Sequence, residues 1–344
     1  MKKVTILTGN GLNYLIAGII KGYPYSGGQL GSLKESTSSN IYLITKLWEE
    51  FDDVFKELSK ELNNVNPEEL IRMVYAVINL FSSIDTFEKV LGRDKITEIK
   101  KAFDIFLIDK IIQIAEKFRR HENIDQYKDV RKYFRNFSEA VNEYAQESET
   151  VVSVATTNYD GLLETLLVRD KEGYSTSDGF KKVSNGSDLL HFDPLKFDEK
   201  KIHIMHLHGS YKYTKHLNTT YKLIGVKQNE RPVMIFNNKH VKESIIKSDN
   251  VLSYYFNKFE KDISESHQLI ILGNSMKTEP HIKAVIKRLL HPNANVMICS
   301  DNPQAVHDEI LEFLNNQNVI HMNTLDIHTE RDFIDLFKTF MIEY

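Results

Sequence analysis

Short apolar runs that alternate with amphipathic stretches constrain the fold of this chain more than any other feature. Beyond residue 150 these runs occupy residues 151–155, 202–205, 269–272, 295–299 and 319–322. Helices are expected between them, near residues 159–168, 252–263, 279–290 and 303–314. Short apolar runs are typical of strands buried on both faces, and their alternation with helices predicts a mostly parallel sheet. We therefore predict an α/β fold.

A further apolar run, at residues 4–7, leads directly into a glycine-rich turn and an apolar helix. Gly9, Asn10 and Gly11 form the turn, and the helix is expected near residues 12–20. This order of strand, turn and helix brings backbone N–H groups and a positive helix end towards a phosphate. The third glycine of the dinucleotide-binding fingerprint is missing, so the turn by itself predicts only a Rossmann-like beginning.

A long helical block separates this first strand from the others. Apolar residues recur at three- and four-residue steps near residues 44–58, 96–118 and 130–144. Such stripes are typical of helices that pack against a core, and we assign them to packing rather than to a cofactor site. We predict one domain over residues 1–344, with a Rossmann-like parallel sheet interrupted by a large all-helical insertion at residues 40–148. The insertion is also a candidate oligomer interface.

Composition limits the classes of function. The formal net charge of −4 argues against a general nucleic-acid or membrane-surface partner, which usually needs a basic face. The single cysteine, Cys299, excludes a disulfide framework and a multi-cysteine zinc site, and its apolar neighbours predict a small buried hydrophobe. No stretch approaches the roughly 18 apolar residues of a transmembrane helix, and no signal peptide is recognisable. A cytoplasmic protein is expected.

Polar or glycine-containing segments follow five of the predicted strands. In chain order they are GNGLN at residues 9–13, TTNYD at 156–160, HLHGS at 206–210, GNSM at 273–276 and SDNP at 300–303. Ligands of open α/β sheets bind outside the carboxyl ends of the strands, so these segments are expected to line one edge. The amide of Asn158, the carboxylate of Asp160 and the imidazole of His208 are then expected in one crevice.

This ordered set of segments resembles the sirtuin-like superfamily. Sirtuins carry a GAGxS-type turn, a QNxD motif, an HG motif and a GTSL-type turn in the same order. The four zinc-binding cysteines that follow the HG motif in sirtuin deacetylases are missing here, Asn10 stands where alanine is usual, and Thr157 replaces glutamine. TTNYD with LHGS is much more similar to the bacterial sirtuin-like effectors of anti-phage defence. Those effectors are NAD+ hydrolases, often partnered with a sensing or ATPase component.

The resemblance implies an oligomeric defence effector that binds NAD+ as its substrate and hydrolyses it to ADP-ribose and nicotinamide. It implies that Asn158 orients the attacking water and the ribose hydroxyls, and that His208 is the general base. Asp160 would contact ribose or nicotinamide groups, or support Asn158. The other segments would contact the pyrophosphate, the adenosine side or the far end of the nucleotide; their residues are Gly9, Asn10, Gly11, Asn13, Thr157, Gly273, Asn274, Ser275, Ser300 and Asp301.

Simpler interpretations of the predicted catalytic residues stay open. Asn158 could cap a helix that begins at Tyr159, with Asp160 as a favourable carboxylate in its first turn. His208 could be a hydrogen-bonded histidine of the core. The three histidines near the end of the strand predicted at residues 202–205 also suggest a metal site. His206 and His208 are expected to share one face while His203 points away, and no carboxylate or cysteine lies at a usable spacing. No metal is therefore predicted. Three more histidines are expected to be structural: His267, His281 and His291.

Two other functions compete with hydrolysis. The chain could be a regulatory or scaffold subunit that binds NAD+ or ADP-ribose without turning it over. It could also remove acyl groups from lysine without zinc, although no groove for an acyl-lysine is recognisable in the sequence. Nicotinamide release, ligand binding without product, and NAD+-dependent deacylation of a peptide distinguish the three.

Overall fold

A computed structural model of the chain describes residues 2–21, 73–74, 76–77, 89, 92–123, 128–168, 175–182, 187–224, 230–235, 242–277, 279–314 and 318–343. The strands are β1 (Lys3–Thr8), β2 (Val151–Thr156), β3 (Thr176–Ser177), β4 (Phe180–Lys182), β5 (Leu189–Phe192), β6 (Ile202–His206), β7 (Gly209–His216), β8 (Thr219–Leu223), β9 (Pro232–Met234), β10 (Gln268–Leu272), β11 (Asn295–Ser300) and β12 (Asn318–Asn323). The helices are α1 (Asn10–Lys21), α2 (Arg93–Asn123), α3 (Lys128–Tyr133), α4 (Arg135–Glu147), α5 (Leu162–Leu167), α6 (Pro194–Asp198), α7 (Lys242–Ser248), α8 (Asn250–Glu265), α9 (Pro280–Leu289), α10 (Pro303–Ile310) and α11 (Glu330–Glu343).

Seven of these strands form one parallel sheet in the order β12, β11, β10, β1, β2, β6 and β3. The central strand is β1, in which Val4 pairs with Val152 on one side and with Gln268 on the other. Every neighbouring pair in this sheet is parallel. The predicted α/β class and the six predicted strands are confirmed. The seventh strand, β3, contains only Thr176 and Ser177, too short and polar to stand out in the sequence.

Side chains of β1 alternate between two apolar layers, which explains why the sheet is covered on both faces. Val4 and Ile6 belong to one layer, whereas Leu7 belongs to the other. Burying one side chain of this kind contributes about 1.5–3 kcal/mol, so each short strand supplies several kcal/mol. Both layers therefore anchor the strand ends from which the polar segments emerge.

The direction in which strands are added to the sheet reverses at β1. The strands after β1 are added on the β2 side, and those from β10 onward are added on the opposite side. Helix α1 packs in one apolar layer through Leu12 and Ile16, and α9 packs in the other through Ile282 and Ile286. A crevice is expected outside the carboxyl ends of β1 and β10, where the connections leave in opposite directions.

A second, antiparallel sheet has the strand order β4, β5, β8, β7 and β9. Its strands lie outside the apolar runs from which the main sheet was predicted. The apolar pattern missed β4 because this strand is short and carries the exposed Lys181 and Lys182, and it missed β7 because polar residues flank its tyrosines.

The predicted helical insertion is described in part. Helices α2, α3 and α4 cover two of the three predicted stripes, and Phe137 packs against Phe333 of α11 with ring centroids 4.6 Å apart. The packing interpretation is wrong for Ile99, whose exposed fraction is 53%. This residue faces solvent because the long helix α2 is not covered all round. The stripe at residues 44–58 lies outside the described residues, and the limits of the insertion stay a prediction.

Two sequence expectations concern apolar residues. Cys299 is buried in β11, and burial raises the pKa of its thiol, as expected for a small core residue. Within the part of the chain that the structure describes, no helix is long and apolar enough to cross a membrane.

Candidate active site

Glycines hold the ends of β1 and β10 unusually close together at the reversal of strand order. The Gly11 N–H donates to the Gly273 carbonyl at 2.8 Å. A Cβ on Gly11 would lie 2.5 Å from Gly273 Cα, and Gly273 itself has φ of +61°. Any larger side chain at either position would push the two segments apart or strain the backbone. These glycines therefore allow the segments after β1 and β10 to pack against each other beside the N-terminus of α1.

Asn158 lies at the carboxyl end of β2, where its amide group is held by the segment that follows β1. Its Nδ2 donates to the Gly9 carbonyl at 3.0 Å and to Asn13 Oδ1 at 2.9 Å. Both amide protons are thus committed to the protein. Among the described residues nothing donates to Asn158 Oδ1, so this oxygen is the atom that can accept a hydrogen bond from a ligand.

Asp160 holds Asn13, and through it Asn158, in this arrangement. Asn13 Nδ2 donates to Asp160 Oδ2 at 2.8 Å, and the Leu162 N–H donates to Oδ1 at 2.8 Å. Helix α5 begins at Leu162. The alternative in which Asn158 caps a helix from Tyr159 is therefore wrong, because Asp160 receives the first free N–H group. Burial raises the pKa of Asp160, and the hydrogen bonds from Asn13 and Leu162 oppose that rise.

His206, the last residue of β6, belongs to a buried group of charges. Its Nδ1 lies 3.3 Å from the Asn158 carbonyl oxygen, and its Nε2 lies 3.2 Å from Glu164 Oε2. Lys222 Nζ lies 3.1 Å from Glu164 Oε1 and also pairs with Asp178. We call His206, Glu164, Lys222 and Asp178 the His206 cluster. It connects the parallel sheet, helix α5 and the antiparallel sheet.

Opposite charges outweigh burial in the His206 cluster. Burial alone would lower the pKa of His206, but Glu164 raises it above its usual value. Burial alone would raise the pKa of Glu164, but His206 and Lys222 hold it well below its usual range. The cluster is accordingly an array of paired charges.

His208, in contrast, contacts two residues that the sequence did not single out as partners. Its Nε2 lies 3.0 Å from His281 Nε2 and 3.3 Å from Glu279 Oε2. Lys242 Nζ lies 3.5 Å from Glu279 Oε1, and all four side chains are buried. We call His208, Glu279, His281 and Lys242 the His208 cluster. Glu279 and His281 stand at the start of α9, a few residues after the segment that follows β10.

Burial keeps both imidazoles of the His208 cluster uncharged. Burial first, then Lys242 and His281, hold the pKa of His208 well below its usual value. Burial and Lys242 lower the pKa of His281 to about 4. Two neutral imidazoles and a carboxylate therefore converge near the carboxyl edge of the sheet, and one of the two Nε2 atoms donates the hydrogen bond that joins the rings.

The polar segments that follow β2, β6, β10 and β11 all lie between residues 156 and 303. Residues 152–321 match the family model of the SIR2-like domain. The match supports the resemblance to the Sir2-like superfamily, whose members are NAD+-dependent enzymes. No curated protein matches the chain.

The SIR2-like segment and the preceding turn bring most of the predicted ligand contacts together. Asn274 Nδ2 donates to Thr157 Oγ1 at 3.2 Å, which links the segments after β10 and β2. Gly9 and Asn13 bond to Asn158 as described above. Ser275, next to Asn274, is exposed, and Asn10 is the first residue of α1.

Ser300 and Asp301 remain apart from the Asn158 group. Ser300 Oγ donates to Asp301 Oδ1 at 3.0 Å and accepts from the Asn302 N–H at 3.2 Å, which organises the start of α10. In the described ranges neither residue touches Asn158 or His208. They share only the sheet edge with the other predicted ligand contacts, because β11 lies two strands away from β1.

A rival cleft of about 630 Å³ opens at the opposite edge of the sheet, beside the amino ends of β1 and β2. Its lining includes Lys2, Lys3 and Lys258. The last two of these lysines pair with Asp262 at 2.8 Å and 3.1 Å. Their charge is therefore largely compensated, and the cleft lacks the glycine turn and the Asn158 group of the SIR2-like edge.

Proposed function

We propose that this chain is an NAD+ hydrolase that converts NAD+ and water to ADP-ribose and nicotinamide. The observation that carries the proposal is the fixed orientation of Asn158 at the sheet edge, within a stretch that matches the SIR2-like domain. Breaking the bond between nicotinamide and ribose leaves positive charge on the ribose. The protein must hold the sugar, stabilise that charge and present water to one face.

Asn158 fits the task of aligning water or a ribose hydroxyl. Because both amide protons are bonded to Gly9 and Asn13, only Oδ1 is left for the substrate. An oxygen acceptor orients an O–H group and carries partial negative charge, so it favours a ribose that is becoming positive. We expect Asn158 to accept from the attacking water.

Asp160 acts as a positioning residue in this proposal. Its carboxylate holds Asn13, which in turn holds Asn158, and its side chain is buried behind them. Of the two roles that the resemblance implied for Asp160, support of Asn158 is therefore favoured over contact with the substrate.

His208 is proposed as the general base. Its lowered pKa leaves the imidazole unprotonated at neutral pH, the state in which it can take a proton from water or a ribose hydroxyl. Glu279, 3.3 Å from Nε2, would stabilise the imidazolium that forms. An anchoring carboxylate behind a catalytic histidine has this effect in hydrolytic triads.

The remaining predicted contacts are assigned to the nucleotide. The positive end of helix α1 is proposed to lie against the pyrophosphate, while the Gly11 N–H stays bonded to the Gly273 carbonyl. Gly273, Asn274 and Ser275 are proposed to lie against the adenosine side. Ser300 and Asp301 are proposed to reach only the far end of the nucleotide, since they stand apart from Asn158.

Nicotinamide release from NAD+ by the purified full chain tests the proposal. Asn158→Ala and His208→Ala should each lose turnover, whereas His267→Ala, which removes an exposed histidine at the opposite edge, should keep it. All three proteins should give the same far-ultraviolet circular dichroism spectrum. Full activity in either of the first two variants would contradict the assigned roles. Saturable ADP-ribose binding with no release under any condition would favour the regulatory alternative.

The wider biological role is proposed on the same basis. A single cytoplasmic domain over residues 1–344 would deplete cellular NAD+ as an anti-phage defence effector, activated in a homo-oligomer or by a sensing or ATPase partner. Helix α2 exposes Ile99 and Ile105, which supports an interface on the helical insertion. Light scattering of the full chain, and cellular NAD+ levels during phage infection, test the two parts separately.

A further inference from the structure

Three ligand-type atoms of the His208 cluster converge on one point. His208 Nε2 and His281 Nε2 are 3.0 Å apart, and Glu279 Oε2 lies 3.3 Å from the first and 3.8 Å from the second. All three side chains are buried. Within the described residues, no other group of three or more histidine, cysteine, aspartate and glutamate side chains brings its ligand atoms within 4.8 Å of one another. The convergence therefore calls for a specific explanation.

The dimensions of this triangle suit a first-row transition metal. The point equidistant from the three atoms lies about 2.0 Å from each, which matches the lengths of Zn–N and Zn–O bonds, about 2.0–2.2 Å. Two histidines and one glutamate form a known three-ligand zinc set that leaves a fourth position for water or another ligand. The donor set excludes a preference for Ca²⁺ or Mg²⁺, which favour oxygen ligands.

The fold holds the three ligand side chains in place, buried between packed elements. His208 is held by the segment between β6 and β7, whereas Glu279 and His281 are held together at the start of α9. The ligands thus come from two packed elements, and little rearrangement is needed to bring them together.

Lys242 sets a limit on the affinity. Its ammonium lies 3.5 Å from Glu279 Oε1, the oxygen that does not face the two rings. It therefore compensates the carboxylate when no ion is present and repels an incoming cation. A site of this kind should bind more weakly than one without a neighbouring lysine, and metal occupancy should respond to metal concentration.

We propose that His208, Glu279 and His281 form a binding site for a Zn²⁺-class divalent metal, and that the bound ion inhibits the protein. A ring that ligates through Nε2 must carry its proton on Nδ1, so a metal-bound His208 has no lone pair left to accept a proton. Metal binding and base catalysis at His208 therefore exclude one another. The inhibitory part rests on the proposed function, whereas the binding part does not.

The binding part is tested with Co²⁺ on chelator-treated full-length protein. One equivalent should give the intense visible d–d absorption of a four-coordinate site, and Zn²⁺ should displace it. Glu279→Gln and His281→Gln should each weaken binding by at least about 100-fold. His307→Ala is the matched control, because it disrupts an exposed histidine pair at 2.8 Å that no carboxylate completes within the described residues.

Thermal unfolding keeps this test decisive if a variant folds poorly. Zn²⁺ should raise the melting temperature of the wild-type protein and of His307→Ala, but not that of His281→Gln. Absence of the Co²⁺ spectrum in the wild-type protein would overturn the site. Equal Co²⁺ affinity in wild type, Glu279→Gln and His281→Gln would overturn the ligand assignment.

The inhibitory part is tested by nicotinamide release with increasing Zn²⁺. Turnover should fall along the Co²⁺-displacement curve and return when a chelator is added. Any rate that His281→Gln retains should be insensitive to Zn²⁺ over the same range. Metal binding without inhibition would overturn the mutual exclusion. If no condition gives nicotinamide release, the proposed function has failed, and the Co²⁺ measurements alone decide whether the site exists.

Discussion

Two histidines, two residues apart in the chain, lie in opposite kinds of buried environment. His206 pairs with Glu164 within a network of alternating charges that extends to Lys222 and Asp178. His208 faces a second imidazole, and its carboxylate neighbour Glu279 is shared with Lys242. Both histidines are inaccessible to solvent. Burial alone therefore does not decide whether a histidine is charged; its closest partners do.

The His206 cluster and the His208 cluster also have different roles. The His206 cluster joins elements of both sheets through its paired charges. The His208 cluster keeps two imidazoles uncharged at the edge where the predicted ligand segments meet. His206 and His208 do not belong to the same strand, because β6 ends at His206 and β7 begins at Gly209. Gly209 has φ of +82°, a turn that redirects His208 towards α9.

The largest expected effect tests whether His208, unlike His206, is needed for catalysis. His208→Gln should reduce nicotinamide release by on the order of 10³-fold, about 4 kcal/mol of transition-state stabilisation. Its free energy of unfolding should change much less, because no buried charge loses its partner. Steady-state kinetics and urea unfolding measure the two quantities. Loss of stability in parallel with activity would make His208 a structural residue like His206.

The next effect should appear in the His206 cluster as lost stability. Lys222→Met removes the cation between Glu164 and Asp178, leaving the buried carboxylate of Glu164 and the half-buried carboxylate of Asp178 with too few partners. The free energy of unfolding should fall by about 3 kcal/mol. Urea unfolding provides the measurement, and Lys247→Met, which breaks only an exposed pair with Glu243, is the control. A loss equal to that of the control would mean that the network is not stabilising.

His203 extends the comparison to a buried histidine on β6 that packs against Phe197, with ring centroids 4.6 Å apart. Burial first, and then Lys258, lower its pKa to about 4. Since the unfolded chain binds this proton near pH 6.5, stability is retained above that pH and lost as the pH falls towards 4.

This proton linkage should cost about 2 kcal/mol between pH 7 and pH 5. His203→Gln should remove that share of the pH dependence, so the wild type should lose more stability than the variant over this interval. Urea unfolding at each pH checks the slope. Identical slopes would mean that His203 is not kept neutral by the fold.

The smallest expected effect concerns the support behind Asn158. Asp160→Asn replaces an oxygen acceptor by an amide and weakens the hold on Asn13. Turnover should fall roughly tenfold, about 1.4 kcal/mol, with KM changed less than kcat, because misalignment affects the reacting geometry more than binding. Asp335→Asn, which affects only an exposed pair with Arg331 on α11, should leave kcat close to the wild-type value. A larger change in KM would assign Asp160 to substrate contact instead.

The sequence was a good guide to the parallel sheet and a poor guide to the antiparallel one. Strands such as β10 consist almost wholly of apolar residues, because helices cover both faces of the sheet. Strand β8 mixes exposed, half-buried and buried residues over a short length, and β4 carries two exposed lysines. Their pairing depends on neighbours far away in the chain, which local patterns do not encode.

The candidate site was predictable to the extent that it follows strand ends. Asn158, Asp160 and the glycine segments come together because parallel strands end at one edge. Glu279 and His281 were missed because they coincide with a helix start, where a carboxylate has a simpler explanation. Their position a few residues after Gly273 was the available signal. Sequence spacing could not reveal that this helix start faces His208.

The central position of β1 has a consequence for how the protein is made. Its neighbours on the two sides begin near Val151 and Gln268, so the strand leaves the ribosome long before either partner exists. At about 5–20 residues per second, the wait for the second partner is on the order of tens of seconds. Both edges of this strand are unpaired until β2 emerges, and one edge stays unpaired until β10 follows. Chaperone dependence is therefore a property of this topology itself, independent of the stability of the finished fold.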